Sequence, residues 1–156
     1  MLEIKIPGFG FMKLEHLVCD FTGTLSVDGK LLPGVQACIG KITTMLSIHV
    51  VTNDTFGSAM AELEGLECKV VVMTGGEADI QKENYVKQLG ADNVVSIGNG
   101  NNDRRMLKVA RLGIAVIGEE GCSAHAIMAA DIVVKNVLDG FEMLFNPKRC
   151  IASLRF

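Results

Sequence analysis

Six short runs of the chain are apolar almost throughout: HLVCD, SIHVVT, CKVVVM, NVVSIG, LGIAVI and ADIVVK. A strand with one wet face alternates apolar and polar residues, so runs without alternation read as strands buried on both faces. Between them the spacing predicts helices over Val35–Leu46, Gly57–Leu63, Glu77–Leu89, Asp103–Ala110, Ser123–Ala129 and Val137–Leu144. The third of these sets Ile80, Tyr85, Val86 and Leu89 on or near one face and is stopped by Gly90. Strand alternating with helix implies right-handed crossovers and a mostly parallel, doubly wound α/β sheet with helices on both faces. Two segments stand outside that rhythm. LEIKIPGFGFMKLEH alternates around Pro7-Gly8 and Gly10 and predicts an antiparallel hairpin at the N-terminus. LSVDGKLL carries Asp28-Gly29, the two-residue turn of a second, small hairpin. The pattern predicts one domain over residues 1–156, with the N-terminal hairpin in 1–15 and the core in 17–146.

Composition narrows the function classes. With 49% apolar residues in a chain of 156, a substantial core is expected and disorder is not. The formal net charge is only −3, and no run of Lys and Arg forms a basic stripe, so nucleic acid is not an expected partner. No apolar stretch approaches the ~20 residues of a membrane span, and the first residues lack the apolar run of a signal peptide. Five scattered cysteines without a CxxC pair fit reduced, mostly buried thiols and predict a cytoplasmic protein. His16, His49 and His125 show no ligand spacing and receive no role. The glycines of GNGNN do not make a dinucleotide fingerprint.

In parallel sheets, ligands bind beyond the carboxyl ends of the strands, so the residues there are the candidates for chemistry. Asp20 ends the first core strand in VCDFTGTLS, Thr52 ends the second in VVTND, and Gly98 ends the fourth in SIGNGNND. Lys82 lies in the helix after the third strand. Together they point to phosphoryl transfer through an aspartyl phosphate, with Asp20 as nucleophile. Asp20 and Asp103, with Asn99 and a main-chain carbonyl, are oxygen donors suited to Mg²⁺. Lys82 would neutralise phosphate oxygens, and Thr52 would hydrogen-bond to them. Each residue also has a plainer reading. Asp20 is a turn former, Thr52 a strand-terminal β-branched residue, Lys82 a surface lysine, Asp103 a first-turn acid, and Asn101 and Asn102 caps.

DFTGTL resembles the DxxGT[LV] nucleophile motif of the haloacid dehalogenase (HAD) superfamily, in the form used by P-type ATPases, DKTGT. VVT, KENYVKQLG and SIGNGNNDRRML resemble the second, third and fourth motifs. LGIAVIGEEGCSAHAIMAADIVV is similar to the segment that follows them in P-type ATPases, so the resemblance runs from Leu17 to Val134. It implies a Rossmann-like HAD core and a Mg²⁺-dependent phosphatase. The implied catalytic residues are Asp20, Thr22 and Lys82, the substrate-binding residues Thr52, Asn53 and Lys82, and the metal ligands Asp20, Thr22, Asn99 and Asp103.

Two positions depart from the family pattern. Thr22 stands where phosphatases carry an acid/base aspartate, which predicts slow breakdown of a phosphorylated Asp20. Asn99 replaces an aspartate of the fourth motif and adds no charge. The short stretch between the first two motifs holds no large cap, and none of the nucleotide-binding insert that P-type ATPases carry there. A phosphorylated substrate is therefore expected, while use of ATP is not, and the resemblance adds a homo-oligomeric contact that completes a capless site. A non-hydrolytic phosphate- or nucleotide-sensing module is the alternative, and a structural oligomerisation protein is a residual third.

Overall fold

The structure is a computed structural model that describes residues 1–54 and 57–156. Its strands are β1 (Leu2–Ile6), β2 (Gly10–Leu14), β3 (His16–Asp20), β4 (Ser26–Val27), β5 (Lys30–Leu31), β6 (Ser47–Thr52), β7 (Lys69–Val72), β8 (Val94–Gly98), β9 (Leu112–Val116) and β10 (Ile132–Val134). Its helices are α1 (Val35–Ile42), α2 (Ser58–Glu62), α3 (Ala78–Gln88), α4 (Arg104–Val109), α5 (Ala124–Ala129), α6 (Val137–Phe145) and α7 (Pro147–Leu154). The six apolar runs form one parallel sheet in the order β10-β9-β8-β3-β6-β7. The chain starts at the centre with β3, builds outward through β6 and β7, and then returns to the other side of β3 with β8. Strand order therefore reverses beside β3, which opens a crevice at the carboxyl ends of β3, β6 and β8.

Burial on both faces explains the unbroken apolar runs. On β3 and β6, Leu17, Cys19, Ile48 and Val50 face the main core, where α1 and α6 supply Ile39, Ile42, Phe141 and Leu144. Val18 and Val51 face the opposite side, against Val86 of α3 and Met106 of α4. Each fully buried side chain of this kind contributes roughly 1.5–3 kcal/mol. Both predicted hairpins are present, as the antiparallel pairs β1-β2 and β4-β5. Ile4, Ile6, Met12 and Leu14 of the first are buried in the chain's own main core.

The structure differs from the sequence expectations in three places. Helix α1 ends at Ile42 rather than Leu46, because the Thr43 and Thr44 hydroxyls donate to the Gly40 and Lys41 carbonyls and close the last turn. Helix α7 lies beyond the predicted core, and its Cys150 is buried in the main cluster. On α3, only Val86 of the predicted apolar face is fully buried, and the other buried residue is Lys82.

All five cysteines are free, with Cys19 and Cys150 buried and the other three half-buried. The histidines without sequence spacing also meet. His16 Nδ1 and His49 Nε2 share a hydrogen bond at 3.2 Å, and His49 Nδ1 and the Tyr85 hydroxyl share another at 2.8 Å. This chain joins β3, β6 and α3 at their ends away from Asp20. Among the described residues, no helix is long and apolar enough to cross a membrane.

Candidate active site

The turn after β3 is organised by one carbonyl. Phe21 O accepts from the N–H groups of Thr24, Leu25 and Ser26 and from the Ser26 hydroxyl. Phe21 itself is fully buried and anchors the turn. Gly23 has φ +76°, and a Cβ on it would stand 2.5 Å from Asn99 Nδ2. A side chain there would be strained and would displace Asn99, which accounts for the glycine in DFTGTL. Thr24 is buried, and its hydroxyl donates to Asn99 Oδ1 at 3.0 Å. Thr22 is exposed and borders the cavity above Asp20.

Three charged side chains meet beneath that cavity. Lys82 Nζ donates to Asp20 Oδ1 and to Asp103 Oδ1, each at 2.8 Å. Lys82 and Asp103 have no exposed surface, and Asp20 keeps 6%. A surface lysine is therefore not the reading for Lys82. Asp103 is fixed from its other side as well: its Oδ2 accepts from Asn99 N at 3.0 Å and Gly100 N at 2.8 Å. Gly98 makes room for this, since a Cβ on it would lie 2.6 Å from Asp103 Cγ. Burial pushes the Asp20 carboxyl up to about 7, with the Asp103 charge adding to the rise and Lys82 opposing it. Burial works to lower the Lys82 pKa, but Asp20 and Asp103 together outweigh it, and the net shift is upward. Burial, and then Asp20, raise the Cys19 thiol well above its ordinary value, so it stays protonated beside the site.

The cavity holds about 500 Å³ and is bordered by Asp20, Thr22, Thr52, Asn53 and Asn99. The Thr52 side chain is buried, with its Oγ1 accepting from Asp54 N at 3.1 Å. Asn53 is exposed at the rim. Asp20, Thr22, Thr52, Asn53 and Asn99 thus converge on one cavity, with Lys82 and Asp103 behind them. Sequence reasoning missed Glu120, Asp54, Ser58, Gly29 and Gly100, which also border it, and set Asn102 aside as a cap although it lines the same space. Glu120 was within reach of the strand-end rule, because it follows β9 in the loop GEEG.

The donors available for a metal are oxygens. Asp20 Oδ1 and Asp103 Oδ1 each accept from Lys82, and Asp103 Oδ2 already takes two N–H groups. The Asn99 amide is held by Thr24 and by donation of Nδ2 to Gly121 O at 3.2 Å. Among the described residues, no group of three or more His, Cys, Asp or Glu side chains is arranged to hold a metal. Two carboxylates with amide and carbonyl oxygens fit Mg²⁺, which takes one or two carboxylates and keeps water in its shell. They do not fit zinc, which prefers nitrogen and sulfur.

With this arrangement established, the comparisons identify its class. The chain belongs to the haloacid dehalogenase-like family. A family model described as haloacid dehalogenase-like hydrolase matches residues 77–139, from the start of α3 to α6. An uncharacterised protein of Methanocaldococcus jannaschii is 44% identical over 77 residues, which is 49% of this chain and 77% of that protein. Among solved structures, 3-deoxy-D-manno-octulosonate 8-phosphate phosphatase from Moraxella catarrhalis, in complex with magnesium ion, phosphate ion and KDO, superposes with a TM-score of 0.70. The two are 14% identical over 90% of each chain, which is likeness of fold. A zinc-transporting PIB-type ATPase shares the fold at a TM-score of 0.64 and 21% identity, over 79% of this chain and 20% of the pump.

Proposed function

We propose that the protein is a Mg²⁺-dependent phosphatase, a phosphoric monoester hydrolase working through phospho-Asp20, with a nucleophile turn of the P-type ATPase kind. The observation that carries this reading is the buried Lys82, shared at 2.8 Å between Asp20 and Asp103 under an open cavity at the strand ends. Lys82 orients Asp20 Oδ1 and leaves the second carboxylate oxygen to attack phosphorus. The P–O bond to the leaving alcohol then breaks, and the alkoxide takes a proton from water, since Thr22 offers no acid. Water next attacks the acyl phosphate, releasing inorganic phosphate and returning the carboxylate. Loss of acid–base help at Thr22 makes both steps slower by roughly 10²–10⁴-fold than with a carboxyl there.

Asp20, Asn99 and the Thr22 carbonyl would hold the ion. Asp103 would take a share through Oδ1, which accepts only from Lys82 and keeps a second lone pair. When bound, the ion supplies positive charge that masks the phosphate oxygens and keeps Asp20 ionised. Thr52 and Asn53 would hydrogen-bond the phosphate. Thr22 and Asn99 support the second reading, a sensing module without turnover, because neither adds the carboxylate that the family pattern has at its position.

Hydrolysis of p-nitrophenyl phosphate with and without Mg²⁺ tests the choice. The wild type should turn over only with the ion, and a folded Asp20→Asn variant should show none. Turnover retained by that variant would remove Asp20 as nucleophile, and a wild type that binds phosphate with Mg²⁺ without hydrolysis would establish the sensing module.

A further inference from the structure

The cavity over Asp20 has an uneven charge. Among the described residues that border it, three are acids, Asp20, Asp54 and Glu120, and none of the others is Lys, Arg or His. Lys82, the cation of the site, lies below the floor and is already shared between two carboxylates. Of the basic residues near the lining in sequence, Lys30 pairs with Glu62 at 3.2 Å and Arg104 with Asp79 at 2.9 Å. Glu120 stands at the mouth, where its Oε2 accepts from the Asp28 N–H of the β4-β5 turn at 3.3 Å. The remaining side chains at the mouth, including Asn53, Ser58 and Asn102, are neutral hydrogen-bonding groups.

We propose that this site, on the phosphatase reading above, accepts phosphate monoesters whose leaving group is neutral or cationic, such as a polyol or an amino alcohol. Glu120 turns away substrates that carry a second anionic group, including phosphorylated carboxylic acids and nucleoside polyphosphates. The phosphate itself is matched by the floor of the site. A further carboxylate or phosphate at the mouth would meet the charge of Glu120, with no Lys, Arg or His among the described residues that border the cavity to offset it. Hydroxyl groups would find amide and hydroxyl partners, and an ammonium would gain from Glu120.

Glycerol 2-phosphate and 2-phosphoglycerate make a matched pair, since they differ by a hydroxymethyl group against a carboxylate. The test measures kcat/KM for both, with p-nitrophenyl phosphate as reference, in the wild type, Glu120→Gln and Glu120→Lys. Gln keeps the shape and the acceptor for Asp28 N–H, and circular dichroism checks that each variant folds. The wild type should prefer glycerol 2-phosphate. That preference should shrink at least threefold in Glu120→Gln and further in Glu120→Lys, and it should also shrink as salt is raised. A preference unchanged in folded Glu120 variants, or a wild type that favours 2-phosphoglycerate, overturns the charge rule while p-nitrophenyl phosphate turnover leaves the phosphatase reading standing. Absence of Asp20-dependent turnover with all three esters removes that reading and the charge rule with it.

Discussion

Lys82 is the residue on which the site balances. Removing its ammonium leaves Asp103, fully buried, and Asp20, nearly so, facing each other with no counter-charge. A Lys82→Met variant should be less stable by about 3–5 kcal/mol, the usual consequence of breaking a buried pair from one side. Its kcat/KM toward p-nitrophenyl phosphate should fall at least ~100-fold. Urea unfolding and steady-state kinetics check the two separately, and a stable, active variant would show that the pairing is ornamental. The sequence made Asp20 legible because strand ends in parallel sheets are where chemistry gathers, and because a glycine turn followed it. Burial of Lys82 was not legible from periodicity. It sits on a helix with few apolar residues, and a lysine drawn inward by two distant carboxylates looks like any solvated one. Asp103 was read as a ligand, but its bonds to Lys82 and to the Asn99 and Gly100 amides depend on the fold of a loop that spacing does not describe.

At the scale of elements, the strands were legible with small errors at their ends, because burial on both faces leaves an unbroken apolar run. Helix ends were less so, as the threonine-closed end of α1 shows. The histidine chain linking β3, β6 and α3 was hidden, since His16 and His49 come together only through strand pairing. Burial, and then the nearby His16 and Lys69, lower His49 to about 4 from its ordinary 6.5. The unfolded chain therefore binds the proton first. The stability held above pH 6.5 is lost as pH falls toward 4, by on the order of 2 kcal/mol. Asp20 acts in the opposite sense, because its raised pKa means that stability falls as pH rises from about 4 to about 7. The His49 contribution is thus read as a difference. Urea midpoints of wild type and His49→Gln should converge as pH is lowered from 7.5 to 5, and parallel lines would show that His49 does not titrate in this range.

At the scale of the molecule, strand order does the placing. Reversal beside β3 gathers residues from positions 20, 52 and 99 into one crevice. Alternation of strand and helix along the chain pointed to a parallel sheet with its chemistry at the strand ends, but not to the strand order that makes the crevice. The C-terminal helix was not foreseen, because Pro147, separated from α6 by Asn146 alone, suits a stop as readily as a first helical residue. Cys150 is buried in the same cluster as Ile4 and Ile6, with Ile151 and Leu154 packed against it. A chain ended at Asn146 would expose that face of the N-terminal hairpin. Its thermal midpoint should drop by about 10 °C or more, as expected for losing a few kcal/mol from a chain of this size. An unchanged midpoint would show α7 to be dispensable.

The small hairpin of β4 and β5 is tied at its turn, where Asp28 N–H donates to Glu120, and on β5, where Leu31 N–H donates to Glu62 at 2.9 Å, while its Gly29 borders the cavity. Residues grafted after Gly29 would stand beside the cavity over Asp20 while the Leu31–Glu62 bond still held β5 and the core went untouched. Loop closure grows costlier only slowly with length, about 0.6 kcal/mol per doubling. The turn is thus a port at which a designer could add a canopy, and its length would set how large a molecule passes beneath.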